Sequence, residues 1–113
     1  MRQPLLATAL LLSALSVHAD SPGKEGAAVE GTMTNEKLRQ DTMTGVRQQV
    51  STLGCTHIDS VQPYVVAMPQ GEPGSRVWRE RWVVTCGSKR HPVDIRFNES
   101  GLNAADYSVT AVR

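Results

Sequence analysis

The chain contains two cysteines, Cys55 and Cys86, and their pairing limits what the chain can fold into. A bond between them closes a loop of about 31 residues, which the chain-entropy model values at roughly 3–4 kcal/mol when the native geometry is unstrained. That is a large share of the total stability of a small domain. We therefore predict a Cys55–Cys86 disulfide, provided that the chain folds in an oxidising compartment.

Residues 1–19 have the layout of a cleavable signal peptide. Arg2 gives a positive start, residues 5–17 form an apolar run, and Val17 and Ala19 are small residues at the −3 and −1 positions of a cleavage site. The run of about 13 residues is shorter than the roughly 20 that a membrane-spanning helix needs. We predict cleavage after Ala19 and a periplasmic or secreted product with no membrane anchor after cleavage. An uncleaved anchor is the alternative.

The charge balance bears on the class of partner. The chain has 12 Lys and Arg against 11 Asp and Glu, and losing Arg2 leaves the mature chain formally neutral. A neutral chain has no overall positive electrostatic potential to attract nucleic acid, and it does not resemble a membrane-surface protein. We expect neither partner.

The mature chain is short enough for one domain. It begins at Asp20 and has about 94 residues. Residues 20–33 are rich in Ser, Pro, Gly, Lys and Glu, which predicts a flexible lead. Residues 34–113 then form a single α+β domain, which is small enough that a covalent cross-link would add substantially to its stability.

One amphipathic helix is predicted over residues 35–53. Its apolar stripe follows i, i+4 spacing, with Thr34 as the N-cap and Gly54 as the stop signal. Gly45 weakens the middle of the helix by about 1 kcal/mol relative to Ala. We interpret Gly45 as a point where the helix approaches the sheet closely.

Four strands follow the helix. They are predicted over residues 56–67, 76–86, 92–97 and 107–112, from enrichment in Val, Ile and Tyr and from apolar–polar alternation. Pro63 indicates an edge strand, and a turn is expected at or near residues 89–90. The predicted fold class is α+β: one N-terminal amphipathic helix packed on a four-stranded antiparallel sheet, with one disulfide.

The strand at residues 76–86 suggests a candidate binding surface. Alternation places Trp78, Glu80 and Trp82 on the helix side with Cys86, and Arg79 and Arg81 on the other side. Glu80 between two tryptophans indicates either a pair with a neighbouring arginine or a partly open face. Arg and Trp dominate interface hot spots, so the candidate partner-binding residues are Arg76, Trp78, Arg79, Arg81 and Arg96. The alternative is a solvated face on which arginine stems cover apolar sheet surface.

A metal site is the alternative to a disulfide as the role of the two cysteines. Cys55, His57, Cys86 and His91 offer a Cys2His2 ligand set that zinc accepts, although the spacing is not that of a familiar zinc module. The sequence contains no nucleophile elbow, phosphate loop, dinucleotide fingerprint or HExxH motif. We therefore predict no catalytic residue and no cofactor.

The run WRERWVVTCG at residues 78–87, preceded by the pair Gly54 and Cys55, resembles small secreted or periplasmic proteins of unknown function in proteobacteria of the Pseudomonas type. The resemblance covers residues 35–112. It implies an exported compartment, the disulfide and a helix-plus-sheet layout, and it brings no activity. The expected function is a non-enzymatic protein that binds another protein, such as an inhibitor, an immunity-type protein or an accessory factor. A metal or small-ligand binder is the alternative.

Overall fold

The computed structural model describes residues 28–112. The predicted signal peptide and residues 20–27 of the predicted lead lie outside the described residues. The chain order is strand β1, helix α1 and then strands β2 to β5. Their bounds are β1 Val29–Glu30, α1 Glu36–Ser51, β2 Ser60–Gln70, β3 Val77–Cys86, β4 Lys89–Glu99 and β5 Ala105–Ala111.

The sheet has five antiparallel strands in the order β1-β2-β3-β4-β5, so the prediction of four strands was wrong. The additional strand is β1, which places Val29 opposite Val65 and Glu30 opposite Tyr64. A strand of two residues cannot show the alternation from which strands are recognised, and its neighbours in sequence are typical of a loop. The helix consequently follows β1 and is not the first element of the fold.

Asn35 caps α1, in place of the predicted Thr34. Its Oδ1 accepts a hydrogen bond from the backbone N–H of Leu38 at 2.8 Å, and Glu36 lies in the first turn, where the helix dipole favours a carboxylate. Thr42 is fully buried in this helix, and its hydroxyl donates to the carbonyl of Leu38 at 2.7 Å. After the helix, Gly54 adopts φ 93°, as suits its predicted place at the stop.

The bounds of the later strands differ from the predicted ones: β4 and β5 are longer than predicted, and β2 and β3 are each one residue shorter. Strand β2 continues through Pro63. The carbonyl of Pro63 accepts a hydrogen bond from the N–H of Gly31 at 3.0 Å, so the backbone polar groups of this residue face β1. The N–H that proline lacks is therefore not needed for the pairing of β2 with β3. Strand β4 begins at Lys89, and the turn lies at Gly87, where φ is 60°. The turn was therefore predicted two residues too late in the chain, because polar residues at the end of a strand have the composition that is typical of a loop.

The core lies between α1 and one face of the sheet. Val46 and Val50 of the helix pack with Trp82, Val84 and Phe97, all fully or almost fully buried. Gly45 confirms the predicted close approach: a Cβ at this position would lie 2.9 Å from the Tyr107 ring and 3.2 Å from Val109. The helix thus rests on β5 as well as on the central strands.

The Cys55–Cys86 disulfide is present, as predicted, with Cα atoms 5.9 Å apart. It joins the segment after α1 to the end of β3. Because Cys86 pairs with Lys89 at the start of β4, the bridge fixes the helix exit against the β3–β4 hairpin.

Candidate functional site: the open face of the sheet

Helix α1 covers one face of the sheet, and among the described residues no other element lies over the second face. We call this second surface the open face. Its side chains are identified by strand register, because residues opposite one another on neighbouring strands share a face. On the three central strands the larger and charged members are Tyr64, Val77, Arg79, Arg81, Val83, Arg90, Pro92, Asp94 and Arg96.

Arg81 and Asp94 form the centre of the open face. They are directly opposite on β3 and β4, and the guanidinium holds both carboxylate oxygens, with Nε–Oδ1 at 2.7 Å and Nη2–Oδ2 at 3.0 Å. The hydrogen bond with Asp94 raises the pKa of Arg81. Tyr64 lies opposite Arg81 on β2, so a phenol ring flanks the ion pair. This bidentate geometry fixes the arginine in one orientation.

Two further arginines lie opposite one another beside this pair. Arg79 on β3 is paired in register with Arg96 on β4, and Arg96 is exposed. The two side chains therefore leave the sheet from neighbouring positions on the open face.

The structure divides the predicted Arg/Trp surface into two parts. Arg79, Arg81 and Arg96 share the open face, whereas Trp78 lies on the helix side and is 6% exposed. The Trp78 ring stacks on Phe97, with centroids 4.9 Å apart and planes inclined by 16°. The strand alternation predicted its side of the sheet correctly, but Trp78 is part of the core and is not accessible as an anchor for a partner.

Arg76 directly precedes the central strand β3 and is held by Glu99. The guanidinium donates to Glu99 through Nε at 3.0 Å and Nη2 at 2.7 Å, and the same carboxylate accepts from the backbone N–H groups of Arg76 and Gly74, each at 2.9 Å. The hydrogen bonds with Arg76 are the main reason that the pKa of Glu99 is lowered to about 2. Arg76 thus closes the loop that precedes β3 and is not a member of the open face.

Glu80 is fully buried and accepts four hydrogen bonds, so neither predicted explanation of it was right. The indole N–H of Trp82 and the hydroxyl of Thr32 donate to Oε1 at 2.8 and 2.7 Å, and the indole N–H of Trp78 and the backbone N–H of Met33 donate to Oε2 at 2.9 and 2.8 Å. A carboxylate offers only acceptors, which matches four donors. Glu80 therefore connects two strand tryptophans to the segment between β1 and α1.

The four residues of the zinc alternative do not form a ligand set in this structure. Cys55 and Cys86 are joined, which leaves no thiolate to bind a metal. The His57 side chain is 86% exposed, and its Nε2 lies 3.5 Å from Oδ1 of Asp59. His91 is on β4, where it lies opposite Val84 of β3. Over residues 28–112, no cluster of three or more His, Cys, Asp or Glu is placed to hold a metal ion.

Sequence reasoning missed Tyr64 and Asp94 as members of the candidate site. Alternation assigns each residue to a side of its own strand, but it does not say which residues of neighbouring strands are opposite one another. The bidentate Arg81–Asp94 pair depends on that register. The hairpin turn at Gly87 is the signal that could have provided it, since a two-residue loop places Cys86 opposite Lys89 and fixes every later pair.

Comparisons with known proteins return no match among family models, curated proteins or solved structures. Within residues 28–112, no helix has the length and hydropathy required to cross a membrane.

Proposed function

We propose that this chain is an exported, non-enzymatic protein that binds an acidic segment of another protein through the open face. One observation carries the proposal. On the three central strands the open face has four arginines, Arg79, Arg81, Arg90 and Arg96, and a single carboxylate, Asp94. The face is therefore cationic along β3 and β4, whereas each flanking strand adds one carboxylate to it, Glu30 on β1 and Asp106 on β5. Such a local field favours acidic partners and accelerates encounter with them.

The composition of the open face suits a protein better than a small anion. Tyr64, Val83 and Pro92 lie between or beside the charged groups and are partly exposed. Interfaces combine aromatic and apolar contact with arginine, which offers planar hydrogen bonding to carboxylates. The carboxylate pairs already present on Arg81 and Arg76 illustrate that binding mode within the chain itself.

Export is the second part of the proposal. The disulfide supports it, because such bonds persist in the periplasm and outside the cell and are rare in the cytosol. The predicted signal peptide and the resemblance to small secreted proteobacterial proteins support the same compartment. In that setting a binding protein acts as an inhibitor, an immunity-type protein or an accessory factor, and it requires no cofactor.

The lack of an enzymatic role is supported by what the reactive groups do. Both cysteines are bonded, Glu80 is saturated by four donors, and Glu99 is held by Arg76 and two backbone amides. A catalytic acid, base or nucleophile must be able to reach a substrate. These groups are committed to the fold instead.

A charge-reversal pull-down tests the proposal. The bait is the mature protein, the prey is the exported fraction of its own organism, and the test variant is R79E/R96E. The matched control is R39E/R47E, which makes the same change at two exposed arginines of α1. We expect a protein that the wild type and the control retain and that the test variant loses by at least tenfold. Equal recovery of every retained protein by the test variant would contradict the proposal, provided that circular dichroism shows both variants folded.

A further inference from the structure

The two edges of the sheet differ in how well they are protected from pairing with a strand of another chain. The β2 edge is partly covered by β1, contains Pro63 and Pro69, and has register irregularities between Val65 and Ala67 and between Ala67 and Gln70. Prolines, bulges and a short covering strand are the devices by which proteins prevent an edge from pairing with another chain. None of these devices is found on β5. That strand reads ADYSVTA, pairs with β4 without irregularity, and has one charged residue, Asp106.

The hydrogen-bond pattern shows which backbone groups of β5 face outward. Ser100 N–H donates to the carbonyl of Ala104 at 2.9 Å, and Val112 N–H donates to the carbonyl of Pro92 at 3.1 Å. Bonded pairs alternate along an antiparallel ladder, so the even-numbered residues between these two points bond to β4. The N–H and C=O groups of the odd-numbered residues therefore point away from the sheet. These are Ala105, Tyr107, Val109 and Ala111.

We infer that the β5 edge pairs with the β5 edge of a second copy of this chain, antiparallel and centred on Ser108. This register places Ala105 opposite Ala111 and Tyr107 opposite Val109 in the second copy. Every outward backbone group of β5 then has a partner, for about eight hydrogen bonds across the interface. The single charge, Asp106, lies opposite Thr110, so no like charges meet. The edge is self-complementary, as a two-fold interface requires.

A groove along the same edge accommodates the side chains of the second strand. It has a volume of about 400 Å³ and lies on the helix side of β5, bordered by Gly45, Gln48, Gln49 and Thr52 together with residues 107–109. In the inferred register, Tyr107 and Val109 of the second copy lie opposite Val109 and Tyr107 of the first copy. Their side chains are on the helix side of the joined sheet and project towards this groove. Aromatic and β-branched residues opposite one another stabilise strand pairs. The inference does not depend on the proposed function, although it would join two open faces into one continuous surface.

Edge pairing by a seven-residue strand buries little area. It falls in the class below about 1,200 Å², which is typical of weak and reversible complexes. We therefore expect a dimer that forms with increasing concentration and is not permanent.

Sedimentation equilibrium on the mature protein, from about 10 µM to about 1 mM, tests the inference. Ser108 is exposed but lies opposite Arg96 on β4, so circular dichroism must first show that each charged variant is folded. In the inferred register Ser108 lies opposite Ser108 of the second copy. We expect the wild type to dimerise, Ser108→Glu and Ser108→Lys each to weaken dimerisation at least tenfold, and an equimolar mixture of the two variants to restore it. Ser60→Glu, an exposed position on the open face at the other end of the sheet, is the matched control and should dimerise like the wild type.

Three results would overturn the inference. A wild type that stays monomeric over the whole range would exclude the pairing. A Ser108→Glu variant that dimerises as well as the wild type would exclude this interface. A mixture of the two charged variants that stays monomeric would exclude the register centred on Ser108.

Discussion

Glu80 shows how one buried residue can define a core. A carboxylate away from water is costly unless its oxygens are satisfied, and here both oxygens are, by donors from β3 and from the segment after β1. The two tryptophan indoles on either side of it in sequence obtain their hydrogen-bond partner from the same group. The run Trp78–Trp82 is therefore a structural motif of this fold, and its polar member is as much part of the core as its aromatic ones.

The first prediction concerns this carboxylate. Glu80→Gln replaces one acceptor oxygen by an NH₂ group that faces two donors, so at least one buried donor loses its partner and a repulsive contact arises. We expect a loss of about 2–4 kcal/mol in the free energy of unfolding, measured by urea denaturation. Glu30→Gln makes the same change at an exposed position and should cost less than about 0.5 kcal/mol. A Glu80→Gln variant as stable as the Glu30→Gln control would contradict the role assigned to Glu80.

At the scale of elements, helix α1 and strands β2 to β5 could be predicted from the sequence, because each has a period that an element of that length displays. The side assignment of Trp82 and Arg81 and the approach at Gly45 followed from the same reasoning. Strand β1 could not be predicted, because Val29 and Glu30 become a strand only through pairing with β2. The donors to Glu80 from outside β3 could not be predicted either, since Thr32 and Met33 are 48 and 47 residues away in sequence.

Glu99 ties the end of β4 to the loop before β3 and gives the fold a pH dependence. Its carboxylate holds Arg76 and the amides of the loop before β3, and its pKa falls from 4.5 to about 2 in the folded chain. A folded-state pKa below the unfolded value means that the contribution is fully present above about pH 4.5 and is lost as pH falls towards 2. We expect the wild type to exceed Glu99→Gln in melting temperature at pH 7, and the difference to shrink between pH 4.5 and pH 2. A difference that stays constant over this interval would contradict the ion pair with Arg76.

At the scale of the whole molecule, the chain is a one-layer sheet with a helix and a disulfide on one side and an arginine-rich face on the other. The disulfide was predictable because the chain has only two cysteines. The cationic face was predictable only in part. Arg79, Arg81 and Arg96 could be assigned to one side by alternation, but the paired register that sets Arg79 against Arg96 and Arg81 against Asp94 required the structure. Trp78 shows the limit of composition, because a residue type common in interfaces is here buried against Phe97.

The central claim is that the open face binds another protein, and site-specific photocrosslinking in the exporting cell tests it most directly. Benzoylphenylalanine replaces Tyr64 on the open face in one variant and Arg39 on the outer side of α1 in the control. After irradiation, the adducts are identified by mass spectrometry. The account predicts a discrete adduct from position 64, joined to an Asp- and Glu-rich segment of a second protein, and no such adduct from position 39. Adducts from position 39 alone, or no adduct from position 64, would contradict it.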